Sequence, residues 1–320
     1  MPHPKKLLIF KFSALSLLAL MSILLYMLYR LGGSWEFALE TRAVKLAALL
    51  LTAIAVAVST LLFQTLTKNR ILTPSIMGLD SLYMLLQTAL VYFLGSSTQF
   101  LASKNINFLV TLLLMMVFSF LLYYILFGRL SHSIFTLLLF GIILGTLFQS
   151  GASFMQMLID PDDFLIIQGK MFASFNAVNA DVLMIATLFT LVALLYVAAI
   201  FKNLDVLQLG KDQTINLGIS YNGMARHILI IVSILVSTST ALVGPVSFLG
   251  LLVVNLSYQY FTTHRHSILL PGTILIAIIA LVIGQFIVEK LLTFSTTLSV
   301  IINFIGGIYF IYLLVKKGRK

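Results

Sequence analysis

Ten runs of apolar residues, each about 16–24 residues long, follow one another from residue 7 to residue 315. A helix needs about 20 such residues to cross the ~30 Å hydrocarbon core of a bilayer. The runs fall near 7–30, 43–66, 76–95, 106–127, 134–157, 181–201, 227–243, 246–261, 268–288 and 297–315. They lack the alternating pattern of a transmembrane barrel. Only 9% of the residues are charged and 60% are hydrophobic, against about 25% charged in a soluble domain. Such a chain cannot cover a water-facing surface. The expectation is an all-α polytopic membrane protein with about ten transmembrane helices. The first run is read as a retained span, because it is longer than the apolar core of a signal peptide and no clean cleavage site follows.

Ten spans place both termini on one side. With both inside, fourteen of the 20 Lys and Arg lie in inner segments, and the positive-inside rule makes that side cytoplasmic. The net charge of +10 is thereby read as topology, not as a nucleic-acid surface. Residues 1–320 are expected to form a single transmembrane domain. The longest inner loop, about 202–226, is amphipathic and is expected to hold short helices. The outer segment 158–180 has room for a half-helix at the membrane surface.

Enzyme chemistry finds little foothold. There is no cysteine, so disulfides and thiolate metal sites are excluded. No Walker sequence is present: Gly210-Lys211 lacks both the earlier glycine and the following Ser or Thr. No Ser-His-Asp set, paired carboxylates or HExxH occurs. The five histidines, His3, His132, His227, His264 and His266, lie near inner ends or loops. His264 and His266 flank Arg265, which reads better as an interfacial basic turn than as a metal site.

One stretch, "LTPSIMGLDSLYMLLQTALVYFLG" (72–95), breaks its own helical pattern. Pro74 suits a helix start. Irregular backbone at membrane depth survives only when buried by protein or lining a wet cavity. Asp80 is then either part of a pathway or an ordinary first-turn acid favoured by the helix dipole. Arg42 and Lys45, at the head of the second span, either meet a docking partner or snorkel beside Glu36 and Glu40. The run Asp160-Pro161-Asp162-Asp163 reads as a solvated turn.

Four stretches, taken together, resemble one family. "FQTLTKNRILTPSIMGLDS", "LQLGKDQTINLGIS", "GPVSFLGLLVVNL" and "INFIGGIYFIYLLVKK" occur in order and at suitable spacing. They resemble the permease subunits of ABC importers for iron-siderophore complexes, haem and cobalamin. The wording "NRILTPSIMGLDSLY" is most similar to the branch that imports ferric catecholate siderophores such as enterobactin or petrobactin. The resemblance implies a ten-helix subunit in a bacterial cytoplasmic membrane, paired with itself or a homologue, with the pathway between the two. It implies two cytoplasmic ATPase subunits using ATP and Mg, an extracytoplasmic binding protein, and no cofactor on this chain. Leu209, Gly210, Asp212, Leu217 and Gly218 match the element that seats in the ATPase. Arg42, and more weakly Lys45, match the docking arginines, although "TRAVK" departs from the usual Arg-Leu-Pro-Arg. Asn255 stands where the family has histidine, and Asp80 where Ser or Asn is commoner.

The same resemblance points to pathway candidates: Asp80, and Gly141, Gly145, Gln149, Ser150, Ser153 and Gln156 of the fifth span. Small and polar residues at this depth either line a route or pack helices together. Haem or cobalamin import is the same-fold alternative. An ion-coupled secondary transporter is a different one, but it needs coupling carboxylates in its helices; Asp80 is the deep candidate here, with Asp181 nearer a span end.

Overall fold

A computed structural model describes residues 4–30, 35–95, 103–125, 134–176 and 178–318. Arg129, His132, His3, Arg319, Lys320 and the last residues of the expected span 106–127 lie outside them. The described residues are helical, with no strand among them. In chain order they are α1 (Pro4–Leu28), α2 (Trp35–Thr67), a 3-10 turn (Pro74–Met77), α3 (Leu79–Leu94), α4 (Lys104–Ile125), α5 (Ile134–Gln156), α6 (Pro161–Lys170) and α7 (Ala180–Leu207). Then follow α8 (Lys211–Asn216), α9 (Tyr221–Val243), α10 (Leu249–Phe261), α11 (His266–Phe286), a π-helical turn (Ile287–Leu291) and α12 (Leu298–Gly318). Seven of these helices are long and apolar enough to cross a membrane, and Leu79–Leu94, Leu249–Phe261 and Leu298–Leu313 are shorter apolar helices. The expected runs map onto these ten helices in order.

The central post is α2. Its 33 residues make a helix about 50 Å long. Ala55, Val58, Leu62 and Leu66 face one buried cluster, and Ala48, Leu49, Ala53 and Leu61 face another. The second buried post is α9. Its Ser233, Ser237, Thr238, Ser239 and Thr240 are all buried. Ser233 and Thr238 donate to the carbonyls of Leu229 and Ile234, at 2.9 and 2.7 Å. Small hydroxyls satisfied on their own helix allow close helix approach where lipid offers no hydrogen bonds.

The outside of the bundle is apolar. Leu17, Leu18, Leu20, Met21, Leu24 and Leu25 of α1 are exposed. In water this would be an aggregation surface; against acyl chains it is the expected exterior.

Several helix ends differ from the sequence expectation, each for a local reason. α2 begins at Trp35 rather than near 43: Glu36, Glu40 and Arg42 end the apolar run but not the helix, and Arg42 is buried. α9 begins at Tyr221 rather than 227, its start capped by the Ser220 side chain, which accepts from the Gly223 amide at 3.2 Å. The Asp-Pro-Asp-Asp run opens α6 instead of forming a solvated turn. Pro161 is at its start, Asp162 and Asp163 lie in its first turn and Lys170 in its last, the arrangement the helix dipole favours.

Candidate translocation groove and coupling face

The break in the third span is re-entrant. After α2 ends at Thr67, the chain turns back and forms the 3-10 turn Pro74–Met77, then Gly78 at φ +79°. Asp80 shares a small cavity of about 20 Å³ with Ser59 and Thr60 of α2. Those two residues lie seven and eight positions inside the end of α2, which is roughly 10–12 Å along its axis. The irregular backbone thus sits well within the bundle.

Close glycine contacts hold it there. A Cβ on Gly78 would fall 2.6 Å from the Gly145 Cα, and one on Gly141 would fall 2.7 Å from the Met77 Cα. The turn and α5 are therefore in backbone contact, Gly78 against Gly145 and Met77 against Gly141, which the absent side chains of the glycines allow. A second interruption meets the first. α9 ends at Gly244, φ +98°, and α10 starts only at Leu249. From the connecting segment, the Ser247 hydroxyl donates to Asp80 Oδ2 at 2.6 Å.

On the other side of the turn lies a groove of about 450 Å³, lined by Ser75, Ile76, Gly78, Ser81, Ile142, Gly145, Thr146, Gln149 and Ser150. None of these carries a charge. Of the expected pathway residues, Gly145, Gln149 and Ser150 line it directly. Gly141 supports it from behind Met77, and Asp80 faces the small hydroxyl-rich cavity instead. Ser153 and Gln156 lie further along α5, where Gln156 Nε2 donates to Thr88 Oγ1 at 3.2 Å. Ser75, Ser81 and Thr146 were not singled out in the sequence; Ser75 and Ser81 lie within the stretch that broke the pattern.

Gln87, in turn, donates to Asn107 Oδ1 and Thr111 Oγ1 at 3.1 and 2.8 Å and accepts from Lys170 Nζ at 2.7 Å. Burial lowers the affinity of the Lys170 ammonium for its proton.

Arg42 and Lys45 are turned into the fold. Arg42 is 9% exposed. Its Nη1 donates to the carbonyls of Tyr26, Met27 and Tyr29 at 3.2, 2.8 and 2.9 Å, and its Nη2 reaches the Arg30 carbonyl at 3.5 Å. It caps the free carbonyls at the end of α1. Lys45 Nζ pairs with Glu289 Oε1 at 3.3 Å, and Tyr26 and Gln285 donate to the same oxygen at 3.1 and 2.9 Å.

The expected ATPase-seating residues cluster at the end of the bundle where α2 terminates. Gly210 adopts φ +111° and Gly218 φ +80°, bracketing the six-residue α8. The Thr214 hydroxyl is buried and its one proton is shared between the carbonyls of Gly210 and Val206, at 2.6 and 3.2 Å, tying α8 to α7. Leu209, Ile215 and Leu217 are 53%, 51% and 60% exposed, and Asp212 is exposed beside them. Below this loop, Asp205 of α7 accepts from both the backbone amide and Nδ1 of His266, at 2.8 and 2.6 Å. His266 Nε2 lies 2.8 Å from Thr65 Oγ1 of α2. The His264–Arg265–His266 turn is thus structural: His266 joins α7, α11 and α2. Among the described residues no group of three His, Cys, Asp or Glu could hold a metal.

Re-entrant backbone between lipid-facing helices, an uncharged groove and an apolar-tipped loop define a multi-pass membrane transport subunit. The match to the FecCD transport family runs over residues 7–316, and the chain belongs to that family. It is 55% identical over 303 residues to the petrobactin import system permease protein YclO of Bacillus subtilis (strain 168), covering 95% of this chain and 96% of that protein. It is 34% identical to the petrobactin import system permease protein FatC of Bacillus anthracis, over 87% of this chain and 78% of that one. A solved structure described as a metal-chelate type ABC transporter in an inward-facing conformation aligns with TM-score 0.83 and 21% identity, over 98% of this chain and 100% of that chain. At that identity the alignment speaks for the fold.

Proposed function

We propose that this chain is one permease subunit of an ATP-driven importer for ferric siderophores of the petrobactin, catecholate-bearing kind. The observation that carries the cargo assignment is the near full-length 55% identity to a petrobactin permease. In this reading the chain lies in a bacterial cytoplasmic membrane with both termini in the cytoplasm, and it pairs with itself or a homologous permease. Two ATPase subunits that use ATP and Mg sit below it, and an extracytoplasmic binding protein delivers cargo from above. This chain holds no cofactor.

Cargo passes along the groove beside the re-entrant turn. Its small, uncharged lining binds weakly enough to let a bulky anionic complex leave, and selection falls mainly to the binding protein. Leu209, Ile215 and Leu217 offer the ATPase an apolar patch next to Asp212. Gly210 and Gly218 set the direction of α8, and Thr214 makes it rigid. The Asp205–His266–Thr65 chain carries its displacement into α2 and α11 as a rigid-body motion. At the opposite end, Arg42 and Lys45 contribute to docking by fixing the ends of α1, α2 and α11 rather than by touching the binding protein.

The test is reconstitution. The chain, its permease partner and the ATPase are placed in proteoliposomes with binding protein outside, and labelled ferric petrobactin is followed with and without internal ATP. Entry that needs both ATP and binding protein is the expected result. ATP hydrolysis with cargo excluded overturns the cargo; failure of any ATPase to associate overturns the importer reading.

A further inference from the structure

The end of α2, the turn after it, the start of the coupling loop and the turn between α10 and α11 enclose a pocket of about 370 Å³. Its polar lining includes Lys68, Arg70, His264 and the amides of Gln64 and Gln208, and no carboxylate lines it. Neither Lys68 nor Arg70 forms an ion pair among the described residues. Gln64 is 3% exposed, yet neither its Nε2 nor its Oε1 has a hydrogen-bond partner. A buried amide left this way is costly and calls for a ligand or water.

The cationic groups are held in place. Asn255 Nδ2 donates to the Arg70 carbonyl at 2.8 Å, and the Asn69 side chain accepts from the Ile71 amide at 3.1 Å. The Arg70 guanidinium stacks 4.3 Å from the centre of the Tyr258 ring, and its Nη2 is 3.4 Å from His264 Nδ1. Stacking occupies one face and leaves the edge N–H groups free to bind oxygen. Lys68 Nζ donates to the Leu209 carbonyl at 2.9 Å, which uses one of its three protons.

We propose that this pocket binds the phosphate of an anionic phospholipid headgroup. Gln64 lies three residues before the end of α2, a helix long and apolar enough to cross a membrane, and headgroups lie at the ends of such helices. Basic pockets between transmembrane helices at the cytoplasmic surface are suited to such headgroups. Phosphate supplies the acceptor oxygens that Arg70, Lys68 and the Gln64 amide lack. It also competes with the Leu209 carbonyl for Lys68. Leu209 directly precedes Gly210 and α8, so headgroup occupancy sets how tightly the coupling loop is tethered to α2. That regulatory consequence rests on the coupling role proposed above; the binding site does not.

The test uses the full chain in nanodiscs of phosphatidylcholine with phosphatidylglycerol titrated in, and counts retained lipid by native mass spectrometry. Wild type is expected to retain one phosphatidylglycerol that Lys68→Gln/Arg70→Gln holds roughly tenfold or more weakly. Lys6→Gln/Lys202→Gln, which removes the same charge from exposed positions outside the pocket, should retain it. Gln64→Leu removes no charge and should still weaken retention severalfold. Inorganic phosphate in phosphatidylcholine discs decides the source. If it protects the Lys68 amine from acylation and phosphatidylglycerol does not, a phosphate site stands with a soluble ligand and the headgroup proposal falls. Equal phosphatidylglycerol retention by wild type and Lys68→Gln/Arg70→Gln overturns the proposal. So does protection of Lys68 that requires added ATPase, which would make the pocket a seat for a protein carboxylate. The binding readout needs neither ATP nor cargo, so its failure and that of the importer reading are separable.

Discussion

Ser247 and Asp80, 167 positions apart in sequence, are joined by a 2.6 Å hydrogen bond in which the serine hydroxyl donates to the carboxylate. This bond connects the two places where the helical ladder is interrupted inside the bundle, the Pro74–Gly78 turn and the segment after Gly244. Backbone that leaves a helix at membrane depth must find partners in protein. Here each interruption supplies the other's wall, with hydroxyls of Ser59, Thr60, Ser239 and Thr240 around the junction.

Ser247→Ala should therefore destabilise the protein by about 1 kcal/mol, the loss of one of the two serine hydroxyls, Ser247 and Ser75, that hydrogen-bond to Asp80. Asp80→Asn keeps an acceptor and should cost less. The double variant should be no worse than Ser247→Ala alone, because the two residues share one interaction. Thermal unfolding of the detergent-solubilised protein checks this. Additive losses would mean that Asp80 is held mainly by its second donor, Ser75, and not by Ser247.

The contact between the turn and α5 gives a sharper steric prediction. Gly78→Ala places a Cβ 2.6 Å from the Gly145 Cα, on a residue with φ +79°. Backbone cannot move aside as a side-chain tip can. Overpacking costs about 1–3 kcal/mol and the left-handed conformation adds about 1. Gly78→Ala should lose most folded, monodisperse protein on size exclusion. Gly151→Ala is the control: its Cβ meets only the Leu85 Cδ1, at 3.3 Å, and normal yield and uptake are expected.

The helices were legible in the sequence because the bilayer sets their length, and an apolar run either reaches that length or does not. Even the short third span, now α3, announced itself through Pro74 and Gly78, while the eighth, now α10, was legible as an apolar run. Legibility failed where a polar side chain is used inside the bundle. Arg42 read as a surface residue because nothing local reveals that the carbonyls of Tyr26, Met27 and Tyr29 converge on it. His266 read as part of a basic turn, because its partner Asp205 lies 61 positions away. Gln149 and Ser150 were picked by the rule that polar residues at membrane depth are functional suspects, and both line the groove. The same rule overlooked Ser75 and Ser81, whose neighbours in the sequence made them look like loop.

Arg42 separates capping from docking. If its work is to cap α1, Arg42→Gln should lower stability by roughly 1–3 kcal/mol by freeing buried carbonyls, and binding-protein affinity should fall only as far as the fold loosens. Lysine offers a point charge in place of the planar fork, so Arg42→Lys should recover part of the stability. A variant of unchanged melting temperature that binds the delivery protein at least tenfold more weakly would return Arg42 to the docking surface.

The coupling role proposed for the α8 loop can be tested separately from the scaffold behind it. Leu217 is 60% exposed, so Leu217→Asp disturbs no core and should leave folding unchanged. It places a charge in an apolar contact, and burying an unpaired charge at an interface is strongly unfavourable. Co-purification with the ATPase should fall at least tenfold. Thr214 is buried and ties α8 to the end of α7. Thr214→Val keeps the shape but removes the single hydroxyl proton shared between the two carbonyls, at about 1 kcal/mol. It should leave the exposed leucines able to bind the ATPase while the displacement they receive is absorbed by a loosened α8. The expected result is near-normal association and ATP hydrolysis with uptake per ATP reduced severalfold. Loss of association in Thr214→Val would mean that its role is to shape the docking surface; unchanged uptake would mean that α8 needs no tether.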